Sequence, residues 1–175
     1  MSIRRLLSSD AAAFRSLRLA GLRESASAFG SSYEEECDMP LSTTEARLAP
    51  DSGRIVFGAF DGDQLVGIVG LARETALKVR HKAFVYAMYV AEPHRGRGLG
   101  RRLMEQVLAC AATLDGVLRM TISVTAGNAE AVGLYESLGF MEFGREPDSM
   151  IVDGRFYDEI MMSRALAVMP PAGTD

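Results

Sequence analysis

A chain of 175 residues, 48% apolar and 24% charged, has the length of one domain and enough apolar side chains to bury a substantial core. Its net charge of −4 and pI near 5.3 argue against a nucleic-acid partner, and no apolar run approaches the roughly 18 residues that span a bilayer. The opening Met1-Ser2-Ile3-Arg4-Arg5-Leu6-Leu7 lacks a signal-peptide core, and Cys37 and Cys110 suggest no disulfide framework, so a cytoplasmic protein with no membrane partner is the simplest expectation.

Ser2 to Leu7 reads as a first strand. Asp10 is placed to cap a helix through about Glu24, with Phe14, Leu17 and Gly21 on one face. Gly30-Ser31-Ser32 is a break, and Tyr33 to Asp38 and Thr43 to Leu48 read as short helical turns. Arg54 to Phe60 and Gln64 to Arg73 read as strands joined by the turn Asp61-Gly62-Asp63, and Phe84 to Val90 continues them as an antiparallel meander. Leu99 to Leu114 carries apolar residues at 99, 103, 107, 108, 111 and 114, a helical stripe. Gly116 to Val124 is a β-branched fifth strand. Asn128 caps a helix whose inner face is Ala131, Leu134, Tyr135 and Leu138, and Gly139 stops it. Met141 to Gly144 and Met150 to Arg164 close the sheet as a hairpin, with Asp153-Gly154 inside the last arm. Residues 1–166 read as a single domain and 167–175 as a disordered tail. The element order predicts an α+β fold.

The densest chemistry lies in Arg95-Gly96-Arg97-Gly98-Leu99-Gly100, between a strand and a helix. Glycine admits φ > 0 and close approach of a ligand to the backbone. The unpaired N–H groups of a first helical turn favour an anion, and arginines add charged donors. That is the chemistry of a pyrophosphate cradle, although the hexapeptide alone is read equally well as a tight turn. A Walker loop would need Gly-Lys-Ser/Thr here, and a dinucleotide fingerprint would need glycine where Arg101 stands.

Arg95-x-x-Gly98-x-Gly100, after Met88-Tyr89-Val90-Ala91-Glu92-Pro93, resembles the acetyl-CoA signature of the GCN5-related N-acetyltransferases. A second family element, Asn128-Ala129-Glu130-Ala131-Val132-Gly133-Leu134-Tyr135-Glu136-Ser137-Leu138-Gly139-Phe140, follows at the expected distance. The resemblance runs from about Ser2 to about Leu166. It implies a mixed, mostly antiparallel sheet of six to seven strands with helices on both faces, and acetyl-CoA as co-substrate. It further implies that Met88 and Val90, in the strand Met88-Tyr89-Val90, meet the pantetheine arm through their backbone. Main-chain groups of Arg95, Gly96, Arg97, Gly98, Leu99, Gly100 and Arg101 would hold the pyrophosphate. Asn128 would contact the cofactor as well as cap its helix. Tyr135 would protonate the departing thiolate, although its spacing alone also fits a core aromatic. Where some family members carry a glutamate base, this chain has Phe84. Glu34, Glu35, Glu36 and Glu159, and less so His81 and His94, are the remaining base candidates. Phe29, Tyr33, Phe156 and Tyr157 would flank the acceptor cleft. No metal-ligand spacing is present.

The expected activity is direct transfer of acetyl to a primary amine of a small molecule or peptide. The alternatives are an acyl-CoA-binding regulatory domain without turnover and, less well matched, a nucleotide-binding module. A homodimer is left open.

Overall fold

In the computed structural model, which describes residues 1–166, the expected tail at 167–175 lies outside the described residues. Seven strands form one sheet: β1 (Ser2–Arg5), β2 (Arg54–Asp61), β3 (Gln64–Arg73), β4 (Lys82–Val90), β5 (Arg119–Thr125), β6 (Met141–Val152) and β7 (Arg155–Ala165). Their order is β1-β2-β3-β4-β5-β7-β6, and every neighbouring pair is antiparallel except β4 and β5. The helices are α1 (Ala11–Glu24), α2 (Tyr33–Cys37), α3 (Leu41–Leu48), α4 (Leu99–Ala112) and α5 (Ala129–Ser137). None among the described residues is long and apolar enough to cross a membrane.

β3 is buried along nearly its whole length, because helices cover both faces of the sheet. On one face Leu99, Leu103, Met104 and Val107 of α4 pack against Val69, Leu71 and Val85. On the other, Phe14, Leu17 and Leu22 of α1 pack against Val56, Ile68 and Tyr89. Each such side chain contributes about 1.5–3 kcal/mol by leaving water. The expected α+β layering with helices on both faces is therefore present.

Two local expectations are corrected. The Asp10 side chain does not cap α1. Its carboxylate turns back to accept the Leu7 N–H at 2.9 Å and to pair with Arg4 at 2.8 Å, closing the short 3-10 turn ahead of the helix. The charged, two-pronged contact with Arg4 outweighs a neutral cap. Asp153-Gly154 lies between two long strands and not within one: Val152 pairs with Arg155, and both turn residues have positive φ, +49° and +75°. An Asp-Gly pair in that conformation is a type I′ turn, whose twist matches a hairpin. Asn128 does cap α5, accepting the Ala131 N–H at 3.1 Å.

Gly133 sits in the interior of α5 with open space where a Cβ would point and no positive φ. Gly133→Ala is expected to stabilise the fold by about 0.5–1 kcal/mol, through lower unfolded-state entropy. Thermal unfolding followed by circular dichroism would show a rise of a few degrees; an unchanged or lower midpoint contradicts this account of α5.

Candidate active site

The site begins where the sheet comes apart. β4 and β5 are paired only at Lys82–Arg119, Ala83–Met120 and Phe84–Thr121. Beyond Phe84 each strand stays with its other neighbour: β4 follows β3 to Val90, and β5 follows β7 to Thr125. The sheet therefore splits, and the facing edges of both strands lack their ladder partners. A bulge sharpens the split. Ile68 pairs with Tyr89 and Gly70 with Tyr86, so Ala87 and Met88 together oppose Val69. Ala87 adopts φ +53°, a left-handed conformation that costs an L-residue about 1–2 kcal/mol. Strain of this kind on a strand edge is a mark of functional backbone.

The split opens into a cleft of about 800 Å³, walled by Val85 to Val90, Ile122 to Thr125, the start of α4 and one face of α5. Gly96 and Gly98 have φ of +71° and +73°, so the path into α4 needs residues free of a Cβ penalty. No atom lies within 4 Å of where a Cβ would stand at either position. The first intrahelical bond here runs from Arg102 N–H to Gly98 O at 3.1 Å. The N–H groups of Leu99, Gly100 and Arg101 thus have no acceptor within the helix. At Gly100 a Cβ would come within 3.2 Å of Met88 Cε and 3.3 Å of Leu134 Cδ2, so its lack of a side chain keeps that side of the cleft clear. Donors at a helix start, open space beside left-handed glycines and an unpaired strand edge together fit a long ligand bearing a pyrophosphate.

Two of the three arginine side chains here are engaged elsewhere. Arg95 donates to Val90 O at 2.8 Å, forms an ion pair with Glu24 and stacks over Tyr89. Arg101 donates to Ser137 Oγ at 2.7 Å. Arg97 is exposed and lies outside the cleft wall, and the Leu99 side chain is core, leaving its backbone for the cleft. Asn128 lines the cleft while capping α5.

Glu24, at the end of α1, was not singled out by its sequence context. It accepts the Tyr89 hydroxyl at 2.6 Å as well as the Arg95 guanidinium, so one carboxylate ties α1, β4 and the cradle together. Burial, reinforced by Glu24, pushes the Tyr89 phenol up to about 12. Its spacing continues the stripe Phe14, Leu17, Gly21, but Glu24 itself is exposed at the end of α1, so no local signal in the sequence marked it. Tyr135 is 4% exposed, lies edge-on to Phe140 at 6.2 Å and also lines the cleft. Burial alone pushes its phenol up to about 12, so it carries its proton at neutral pH.

A second cavity of about 580 Å³ adjoins the first, sharing Val85, Tyr86, Ala87, Ile122 and Ser123 as walls. The two meet through the strand split. Of the aromatics expected at an acceptor cleft, Phe29 lines this second cavity from within the core, and Tyr157 lines the first. Tyr33, stacked beneath Arg23 at 3.8 Å, and Phe156, 61% exposed, line neither. Of the base candidates, Glu36 and Glu159 reach the second cavity and His94 the first, whereas Glu35 is spent on capping α2. Glu34 and His81 line neither cavity. Phe84 lines the second cavity and tilts against Tyr86 at 6.1 Å.

Glu36 accepts from Arg18 at 2.8 Å and from Ser31 at 2.8 Å, with Arg47 at 3.9 Å. Burial pushes its carboxyl up, but the hydrogen bonds and charges of Arg18, Ser31 and Arg47 outweigh it and hold it below the usual range. A lowered carboxyl pKa contributes stability above the unfolded value of about 4.3 and loses it as pH falls through the folded value. Glu36→Gln is therefore expected to destabilise the protein by about 2 kcal/mol at pH 7. The deficit should begin to shrink as pH falls below the unfolded value of about 4.3, and close only once pH has passed the lower folded value, where native Glu36 is neutral too. Denaturant unfolding at pH 7 and in acid checks this; a pH-independent deficit would contradict it.

A family model described as the Acetyltransferase (GNAT) family matches residues 19–140. The spermidine N(1)-acetyltransferase of Vibrio cholerae is 27% identical over 96 residues, covering 55% of this chain and 56% of that protein. The chain spans about half the length, or less, of the first curated relatives it matches. A GNAT-family acetyltransferase from Streptococcus pneumoniae superimposes with a TM-score of 0.84 at 24% identity, covering 95% of this chain and 99% of that one. A phosphinothricin acetyltransferase from Sinorhizobium meliloti, solved in complex with acetyl-CoA, superimposes with a TM-score of 0.80 at 18% identity, covering 98% and 94%. At those identities the two structures establish the fold.

Proposed function

The chain belongs to the acetyltransferase (GNAT) family, and from that premise we propose that it is an acetyl-CoA-dependent N-acetyltransferase acting directly on a primary amine of a small molecule or peptide. The observation that carries this reading is the strand split itself. It joins a cleft with an anion cradle at one end to an adjoining cavity walled by α1, α2 and α3 residues, the two sharing Val85, Tyr86, Ala87, Ile122 and Ser123. Two reactants can thus occupy adjoining spaces and meet at Tyr86-Ala87 without a covalent enzyme intermediate.

Acetyl-CoA, when bound, supplies a thioester whose carbonyl carbon accepts the amine and whose sulfur leaves as the thiol. Leu99, Gly100 and Arg101 hold its pyrophosphate through their N–H groups. The open edge at Met88 and Val90 holds the pantetheine arm as an added strand. A β4 backbone N–H at the bulge polarises the thioester carbonyl. Tyr135 gives its proton to the departing sulfur. The amine surrenders a proton in turn, and Glu159, on the acceptor side of the split, is the carboxylate we assign to receive it, through water. Phe84 occupies the position of the glutamate base seen in other members, which makes a relay of this kind necessary here.

A thiol-release assay with acetyl-CoA across amines and peptide N-termini, beside calorimetric titration of acetyl-CoA, tests the reading. Release with one acceptor class supports it. Tight binding with no release across the panel would favour a regulatory acyl-CoA-binding domain, and no binding would overturn the cradle.

A further inference from the structure

The second cavity has an uneven distribution of charge that the transfer chemistry leaves unexplained. Its walls carry Arg18, Arg47, Arg54 and Lys82 against Glu36, Glu74 and Glu159. Glu74 and Lys82 are joined by a backbone hydrogen bond of 3.0 Å at the end of the β3–β4 ladder and contribute one charge of each sign. Glu36 serves both Arg18, at 2.8 Å, and Arg47, at 3.9 Å. Arg54 makes no ion pair with a described residue and stacks over Tyr86 at 5.4 Å. Three guanidinium groups therefore gather round one phenol with a single carboxylate between them, and Glu159 stands across the split on β7.

Two donors in this cluster are unmatched. The Arg18 side chain is 9% exposed, and while its Nε and Nη2 reach Glu36, its Nη1 is buried without a hydrogen-bond partner. The Tyr86 hydroxyl is likewise buried without one. Native folds rarely leave two such groups unpaired side by side without a reason. Both atoms are closed off from the open cavity, so a ligand meets the cluster at Arg47 and Arg54, and because guanidinium groups can only donate it must bring acceptor oxygens.

Resting on the transfer reading above, we propose that the acceptor is an amino acid whose carboxylate is bound by Arg47 and Arg54 of this cluster. The amine then points across the split toward Glu159 and the Tyr86-Ala87 strand edge. A zwitterion places its two charges as the cavity does, positive wall to carboxylate and acidic wall to ammonium. A polyamine would set a cation against three arginines.

The test compares each of the twenty common L-amino acids with amines that lack the carboxylate, isopentylamine, phenethylamine and spermidine among them. Thiol release is measured, together with calorimetric binding of the amino acids to the CoA-loaded protein, for wild type and Arg54→Gln. The expected result is at least one amino acid turned over with kcat/KM tenfold or more above its decarboxylated partner. Arg54→Gln should lower that preference about tenfold and leave the Kd of acetyl-CoA unchanged. Amines or spermidine turned over as well as any amino acid would overturn the subsite and leave the transfer reading standing. Arg54-dependent amino-acid binding without release would keep the subsite and remove the transfer reading. Neither binding nor release with any amino acid would overturn the subsite.

Discussion

Tyr135→Phe is expected to lower kcat by about 100-fold while changing the Kd of acetyl-CoA less than threefold, because a positioned general acid contributes roughly that much. The ring is held by burial and by its edge contact with Phe140, and both survive loss of the hydroxyl oxygen. No hydrogen bond joins that hydroxyl to another described residue, so the substitution orphans no partner and should leave the melting temperature within a few degrees. Burial raises the phenol, and a thiolate departing into the same buried cleft would be disfavoured in the same sense, since both charged forms lose solvation. The variant should therefore regain rate with acyl thioesters whose thiols are more acidic, because a better leaving group needs less help. A kcat within threefold of wild type would remove Tyr135 from the chemistry and return it to the core.

Much of this frame was legible in the chain. The bounds of β3, the Asn128 cap and the stop at Gly139 each follow from a local rule that tertiary context did not override. The left-handed glycines ahead of α4 were legible for the same reason, since such a turn before a helix is a local requirement. The split was not, because it depends on where β4 leaves β5, two segments separated by a helix. The bulge at Ala87 was hidden as well: alanine carries no signal for positive φ. That bulge shifts the face on which every later β4 side chain emerges, so Tyr86 and Tyr89 both lie on the α1 side. Tyr157 and Phe156 part for a simpler reason: successive residues of β7 face opposite sides of the sheet, so Tyr157 lines the cleft and Phe156 is exposed. Arg18 was the missed signal on the acceptor side. Four residues from Phe14 on the buried stripe of α1, it needed a buried partner, and Glu36 supplies only part of one.

Gly98→Val is expected to raise the Kd of acetyl-CoA by roughly 30- to 100-fold, an energy of about 2–3 kcal/mol. The cause is conformational. Gly98 sits at φ +73° immediately before α4, and no neighbour crowds its Cβ direction, so steric clash within the protein is not the obstacle. A β-branched residue held there costs at least 1–2 kcal/mol, which the chain relieves by rotating out of the left-handed region. That rotation re-aims the Leu99, Gly100 and Arg101 N–H groups, whose value to an anion lies in their shared direction. The core side of α4, where Leu99, Leu103 and Met104 are buried, holds the helix body in place, so loss of affinity should exceed loss of stability. Gly98→Asn separates conformation from bulk: asparagine tolerates the left-handed region and should keep acetyl-CoA affinity within about threefold. Calorimetry on the two variants decides between the accounts. If Gly98→Asn binds as poorly as Gly98→Val, space at the helix start matters and backbone direction does not. If Gly98→Val binds like wild type, the N–H groups of α4 are not what holds the anion, and the cleft must bind its ligand through the β4 edge and α5 alone.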